Sequence, residues 1–424
     1  MKFLADLHVH SRHSRATSRD MDLPVMAIWA KLKGIKVIGT GDFTHPDWLF
    51  RIKNLLEPRE NGLFVLKNPP ANPFPVNLTF EKEDVYFMLS SEVSLIYSKG
   101  DRVRKIHVVL LAESLEDVER LNTVLSAKGN LQADGRPTFG MDMRELIEII
   151  QKNAPATAII PAHIWTPWFS LFGANSGFDS IEECCGDLAE FITALETGLS
   201  SDPPMNWRLS SLDKFTLVSN SDAHSPTNIG REANLFDTEL SYKAIVDAIK
   251  TRKGFLKTIE FFPEEGKYHY DGHRNCGVRL SPREAMKLDN ICPKCGKKLT
   301  IGVAHRVEEL ADREEGERPE GAVDYTHLFP LQEIIAKAEG KTKHSKRIME
   351  MFLSAFEAFG GEFKILTEVP TDEIKRLLGE RVAKGIENMR KGKVKVEPGY
   401  DGVYGIIDPL FEDEEKKNKQ QSLF

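Results

Sequence analysis

The feature that most narrows the fold is an alternation. Over residues 1–258, apolar runs of strand length alternate with amphipathic helical patterns. The runs are Lys2–Leu7, Ile35–Thr40, Val85–Ser90, Ile106–Leu111, Thr157–Pro161, Phe191–Leu195 and Phe215–Ser219. Helical stretches such as Leu23–Lys33 and Met143–Lys152 lie between several of them. Strands that alternate with helices form parallel βα units. This many units point to a closed, barrel-like α/β arrangement, with an open doubly wound sheet as the competitor. No Gly-rich dinucleotide turn follows the first strand, which argues against nucleotide binding.

The polar residues at the ends of these runs carry the chemistry. The first run leads into Asp6-Leu7-His8-Val9-His10-Ser11 and the second into Gly41-Asp42-Phe43-Thr44-His45. The third precedes Glu92 and the fourth carries His107. The fifth leads to His163, the sixth to Glu196 and the seventh to Asp222-Ala223-His224. In a parallel barrel, residues at the C-terminal strand ends converge on one face. Imidazole and carboxylate together suit zinc, manganese or iron, and shared carboxylates suit multinuclear centres. Such cations hold a phosphate and acidify a bound water.

The chain has 57 Lys and Arg against 64 Asp and Glu, a formal net charge of −7. A polyanionic partner must therefore be drawn in by local basic patches or bound cations. With 41% hydrophobic residues among 424, there is ample material for a core. No apolar run has the length of a membrane span, and Lys2 and Asp6 interrupt any signal-like start. The expectation is a cytoplasmic, nucleoid-associated protein with no membrane partner.

Residues 259–305 differ in character. His273 and Cys276 are followed by Cys292 and Cys295, each pair with two intervening residues. This is the spacing of a zinc-ribbon-like module holding structural Zn2+, with His269 as an alternative fourth ligand. Cys184-Cys185 read as buried thiols rather than ligands. Residues 306–411 read as mainly helical, with helices over Ser345–Phe359 and from an N-cap at Thr371 to about Lys391. Residues 412–424 read as a charged, flexible tail ending in Gln420-Gln-Ser-Leu423-Phe424.

Taken in order, the motifs around His8-Val9-His10, Thr40-Gly41-Asp42, Glu92, His163 and Asp222-Ala223-His224 resemble those of the PHP (polymerase and histidinol phosphatase) superfamily. The resemblance implies a distorted (β/α)7 PHP barrel with a di- or trinuclear centre and phosphoesterase chemistry. His8, His10, Glu92 and Asp222 would hold one ion, and Glu92, His107 and His163 a second. His224 would serve a third, with Asp42 or His45 replacing the histidine that the superfamily has in its second motif. Zn2+ is the expected ion, or Mg2+ or Mn2+ at the catalytic site. His8, His10, Glu92, His163 and Asp222 would form the catalytic set, with Glu196 in support.

With the zinc module, the helical C-terminal region, Gly39–Pro46, Asp271–Cys276 and Pro398–Gly402, the whole pattern resembles the endonuclease Q family. That likeness implies a DNA-repair endodeoxyribonuclease. It would cleave 5′ to deaminated bases (uracil, hypoxanthine, xanthine) or abasic sites after flipping the lesion from the stack. The alternatives are a PHP-type phosphatase or exonuclease without lesion specificity, and a non-catalytic module that binds damaged DNA. Arg12, Arg15 and Arg231 flank the metal motifs and could clamp phosphates. Trp165 and Trp168 follow His163 and could stack on a base. Gln420, Leu423 and Phe424 partly match a box that binds the sliding clamp.

Overall fold

The computed structural model describes residues 1–76 and 78–411. The tail residues Gln420, Leu423 and Phe424 lie outside them. Among the described residues, eleven strands form one mixed sheet. At its centre, Lys2–Asp6 pairs in parallel with Ile35–Gly39, which pairs in parallel with Tyr86–Lys99. The first helix covers Leu23–Lys33, as the pattern predicts. Asp22 caps its N-terminus, and Gly34, at φ 89°, ends it in the left-handed region that glycine enters at least cost.

Elsewhere the sheet departs from parallel βα units. Tyr86–Lys99 and Arg102–Ala112 are long antiparallel partners, joined only by Gly100-Asp101. A two-residue connection leaves no room for a crossover helix, so the pair must be a hairpin. Arg102–Ala112 then pairs antiparallel with Ala158–Pro161. On the other side, Ala233–Asp237 runs antiparallel to both Lys2–Asp6 and Phe255–Glu260. The sixth and seventh runs shorten to Leu195–Glu196 and Leu217–Val218, which pair in parallel with each other.

The chain returns to this sheet late. Asp324–His327, within a stretch expected to be mainly helical, adds a parallel edge strand beside Phe255–Glu260. Beyond it lie helices Leu331–Glu339, Lys346–Phe359, Glu362–Thr367, Thr371–Leu378 and Glu380–Arg390. The single helix expected from Thr371 is two. Gly379 divides them at φ 92° and ψ 166°, and Pro370 rather than Thr371 stands at the N-cap position. No helix among the described residues is long and apolar enough to cross a membrane.

The C-terminal helices dock on the first helix through a buried ion pair. Lys33 Nζ lies 2.5 Å from Glu362 Oε2, with both side chains almost wholly enclosed. Glu362 Oε1 also accepts the Leu331 N–H at 2.7 Å. The backbones meet beside it, since a Cβ on Gly361 would lie 2.8 Å from Gly34 Cα. Removing one member of a buried pair strands the other charge, at a cost of about 3–5 kcal/mol. Lys33→Ala should therefore lower the thermal midpoint sharply, while Lys33→Met combined with Glu362→Leu should restore much of the loss. Equal midpoints for Lys33→Ala and the parent protein would show that the pair does not hold the helices.

Candidate metal centre

The expected ligands meet in one cluster: His8, His10, His163, Asp222 and His224 follow strand ends, whereas Glu92 and His107 lie within long strands. Glu92, near the middle of the Tyr86–Lys99 strand, is buried at the centre of the group. Its Oε1 lies 2.9 Å from His107 Nδ1 and 3.0 Å from His163 Nε2. Its Oε2 lies 3.3 Å from His10 Nε2 and 3.7 Å from His8 Nε2. On the other side, Asp222 Oδ1 lies 3.0 Å from His10 Nε2, 3.7 Å from His8 Nε2 and 3.5 Å from His224 Nδ1. Three sets of donors are thus close enough to share a cation: His8, His10 and Glu92; Glu92, His107 and His163; and His10, Asp222 and His224.

The donor atoms fit cations better than they fit one another. His8 Nε2, His10 Nε2 and Asp222 Oδ1 are buried without hydrogen-bond partners, although they face each other closely. Leaving such atoms unpaired is costly unless something positive sits among them. Burial raises the Glu92 carboxyl, but His107, Arg136 and His8 outweigh it and hold Glu92 well below its ordinary value. Burial lowers His107 to about 4, so its imidazole is neutral and has a lone pair to donate.

The far sides of the rings are also held. Glu196 contacts His8 Nδ1 at 3.0 Å, accepts the His163 backbone N–H at 2.9 Å and accepts Asn220 Nδ2 at 2.9 Å. Asp42 Oδ1 lies 3.1 Å from His10 Nδ1, and its Oδ2 accepts from Ser11 N, Ser11 Oγ and Ser14 Oγ. Asp42 is therefore committed behind His10 and is not among the donors, a correction to its expected place as a ligand. Its environment requires glycine nearby: a Cβ on Gly135 would lie 2.3 Å from Asp42 Oδ2. Asp6 accepts the Ser221 and Gly230 N–H groups at 3.0 and 2.9 Å and so fixes the loop that presents Asp222. Asp42, His163 and Asp222 all have positive φ (49°, 30° and 46°), a strain that non-glycine residues tolerate where the surroundings impose it.

His45 also stands apart from the centre. It groups with His13 and Asp47, because the helix that begins at Pro46 carries it away. Arg136 is the residue that sequence reasoning missed: its Nη1 donates to Glu92 Oε2 at 2.8 Å. The signal available was slight, a lone arginine after Gly135 in a loop far from any strand-end motif.

The flanking residues divide. Arg12 pairs with Asp22 at 2.6 Å, whereas the Arg15 side chain is exposed. Arg231 Nε donates to Ser221 O at 2.8 Å and lines a cavity of about 320 Å³ with Asn228, Phe261, Gln332 and Lys343. Trp165 is buried against the tilted ring of Phe172, with its indole N–H donated to Asn206. It belongs to the core and cannot stack on a base. Trp168 is 48% exposed, edge-on to Tyr268.

His273, Cys276, Cys292 and Cys295 converge with donor atoms near enough to share one ion. Cys295 Sγ lies 3.4 Å from His273 Nδ1. His269 is buried against Tyr270 and is not in the group. The module leans on the Pro398–Gly402 segment. Asp401 accepts the Arg274 N–H and the Thr300 hydroxyl, both at 2.6 Å, and a Cβ on Gly272 would run into the Tyr400 ring. Cys184 and Cys185 are buried, away from these donors.

Fold and donor groups together define an α/β protein with a buried cluster of His and carboxylate groups placed to hold metal ions, and a separate Cys/His group. The chain is similar to the lesion-specific endonuclease PfuEndoQ of Pyrococcus furiosus, at 32% identity and a TM-score of 0.84, with 99% of each chain covered. It is equally similar, at 32% identity and a TM-score of 0.82, to an endonuclease Q solved with a 27-mer duplex bearing an abasic lesion at its active site; 98% of this chain and 100% of that one are covered. It therefore belongs to the endonuclease Q family. Residues 330–393 match the MJ0043 C-terminal domain family. Protein MJ0043 of Methanocaldococcus jannaschii is 34% identical over 251 residues, which is 57% of this chain but only 31% of that protein.

Outer carboxylates that orient histidine ligands typically contribute about 10- to 100-fold to metal affinity. Glu196→Ala should weaken zinc binding by a factor in that range in a chelator competition titration and leave the circular dichroism spectrum intact. Unchanged affinity would mean that Glu196 does not position His8.

Proposed function

We propose that this protein is a metal-dependent DNA endonuclease of base-damage repair. It hydrolyses the phosphodiester 5′ to a deaminated base (uracil, hypoxanthine or xanthine) or an abasic site. The observation that carries this reading is the donor set around Glu92, in a chain similar over its whole length to a lesion-specific endonuclease. The working division is a distorted (β/α)7 PHP barrel over 1–258, a zinc module over 259–305, a mainly helical region over 306–411 and a tail over 412–424.

His8, His10, Glu92 and Asp222 would hold one cation, Glu92, His107 and His163 would hold a second, and His224 would contribute to a third. Zn2+, Mg2+ or Mn2+ held by these residues would supply charge to neutralise the scissile phosphate, to acidify an attacking water and to stabilise the departing 3′ oxygen. Arg136, at the edge of the centre, and the exposed Arg15 grip phosphate oxygens. Trp168 offers an exposed aromatic face to an extruded nucleotide. Uracil and hypoxanthine carry a carbonyl where the undamaged base has an amino group. The side-chain amides of Asn228 and Gln332, in the cavity beside Arg231, can donate to that carbonyl and would leave the normal base unpaired. Zn2+ in the Cys/His module is structural. The tail, with Gln420, Leu423 and Phe424, engages a sliding clamp.

A labelled duplex with one internal deoxyuridine should be nicked once, on the 5′ side of the lesion, and the undamaged duplex should stay intact. His8→Ala and Asp222→Ala should each reduce nicking by more than about 100-fold, since these residues act on the ion directly. Trimming from the ends, or equal cleavage of both duplexes, would defeat the lesion-specific reading. Removing residues 420–424 should abolish co-elution with the clamp and spare cleavage of a short oligonucleotide. Undiminished co-elution would remove the clamp from the account.

A further inference from the structure

The loop after the first strand continues beyond the main centre. His10 turns into the cluster, but three residues later His13 faces another way, toward the second strand's loop. There its imidazole lies 4.3 Å, centroid to centroid, from that of His45, with the ring planes tilted by 32°. Asp47 completes the group, and one donor atom from each of His13, His45 and Asp47 lies within 4.8 Å of the other two. None of the three belongs to the donor sets around Glu92.

The surroundings of His45 supply an independent sign. It is only 4% exposed, and its Nδ1 is buried with no hydrogen-bond partner. It occupies the N-cap position of the Pro46–Leu55 helix, yet its side chain makes no capping bond. A buried imidazole nitrogen that serves neither cap nor neighbour is a cost that a bound ligand would remove. Across from it, His13 is half-buried and Asp47 exposed, so the group opens to solvent on one side. Asp47 Oδ2 receives a bond from Gln132 Nε2 at 3.2 Å, which steadies the carboxylate.

We propose that His13, His45 and Asp47 form a separate binding site for a divalent cation of the zinc class. Two imidazoles and one carboxylate are a donor set that zinc accepts with a fourth position left open. The open position faces solvent, where water or a phosphate oxygen completes the shell. The site lies at the flank of the main centre, on the loop that also carries Arg12 and the exposed Arg15, and it would add positive charge to an otherwise acidic chain.

The test is a count of metal that does not depend on activity. Full-length protein and its variants are equilibrated with zinc, freed of loose metal by gel filtration and analysed by plasma mass spectrometry. His13→Gln and Asp47→Asn change side chains at the open edge, so folding is not at stake. Either variant should hold one zinc per chain fewer than the parent, and His45→Ala should lose the same equivalent. Cys292→Ser serves as a control: combined with Asp47→Asn it should cost two equivalents, because the losses are independent. Zinc content equal to the parent's in both His13→Gln and Asp47→Asn would overturn the site. That outcome would leave the endonuclease reading untouched, because it depends on other residues.

Discussion

One buried carboxylate organises the centre. Glu92, its side chain fully enclosed, faces the imidazoles of His8, His10, His107 and His163 and the guanidinium of Arg136. A buried charge must be paired and hydrogen-bonded, and the groups that do so come from distant parts of the chain. These segments must therefore arrive together, and the sheet is what brings them. Asp6 ties the Asp222 loop to the first strand, Glu196 ties His8 to His163, and Asp42 ties His10 to the serines of its own loop. Each outer acid links two segments and aims one ligand, so the sheet geometry and the donor geometry depend on the same bonds.

Most of the residues that meet around Glu92 stand out in the sequence because His and Asp follow apolar runs of strand length. His8 and His10 at i, i+2, echoed by Asp222 and His224, mark the same turn from strand to loop on two segments. What the sequence hid was direction. Val85–Ser90 and Ile106–Leu111 look like two βα strands, yet Gly100-Asp101 folds them into a hairpin. Short apolar runs do not reveal which neighbour they will pair with, and here the connection length was the better guide. Asp42 and His45 sit three residues apart, and whether either reaches the cluster depends on a left-handed backbone at Asp42 and a helix beginning at Pro46. Trp165 departs from its expected exposed place for a similar reason: one buried hydrogen-bond partner, Asn206, holds it in the core.

The regions beyond the sheet act as braces. The Cys/His module rests on Asp401 and Tyr400, and the C-terminal helices rest on the first helix through Lys33 and Glu362. Both contacts join segments far apart in sequence. That explains why Asp271–Cys276 and Pro398–Gly402 stand out together: they are the two sides of one joint. The edge strand Asp324–His327 carries the late chain back to the main sheet and makes the helical region a continuation of the architecture.

The claim on which the rest depends is that Glu92 is shared between two cations. Crystals grown with zinc and measured on both sides of the zinc absorption edge test it directly. The account predicts two anomalous peaks flanking Glu92, one beside His8, His10 and Asp222 and the other beside His107 and His163. A peak at the Cys/His module with none at Glu92 would contradict it.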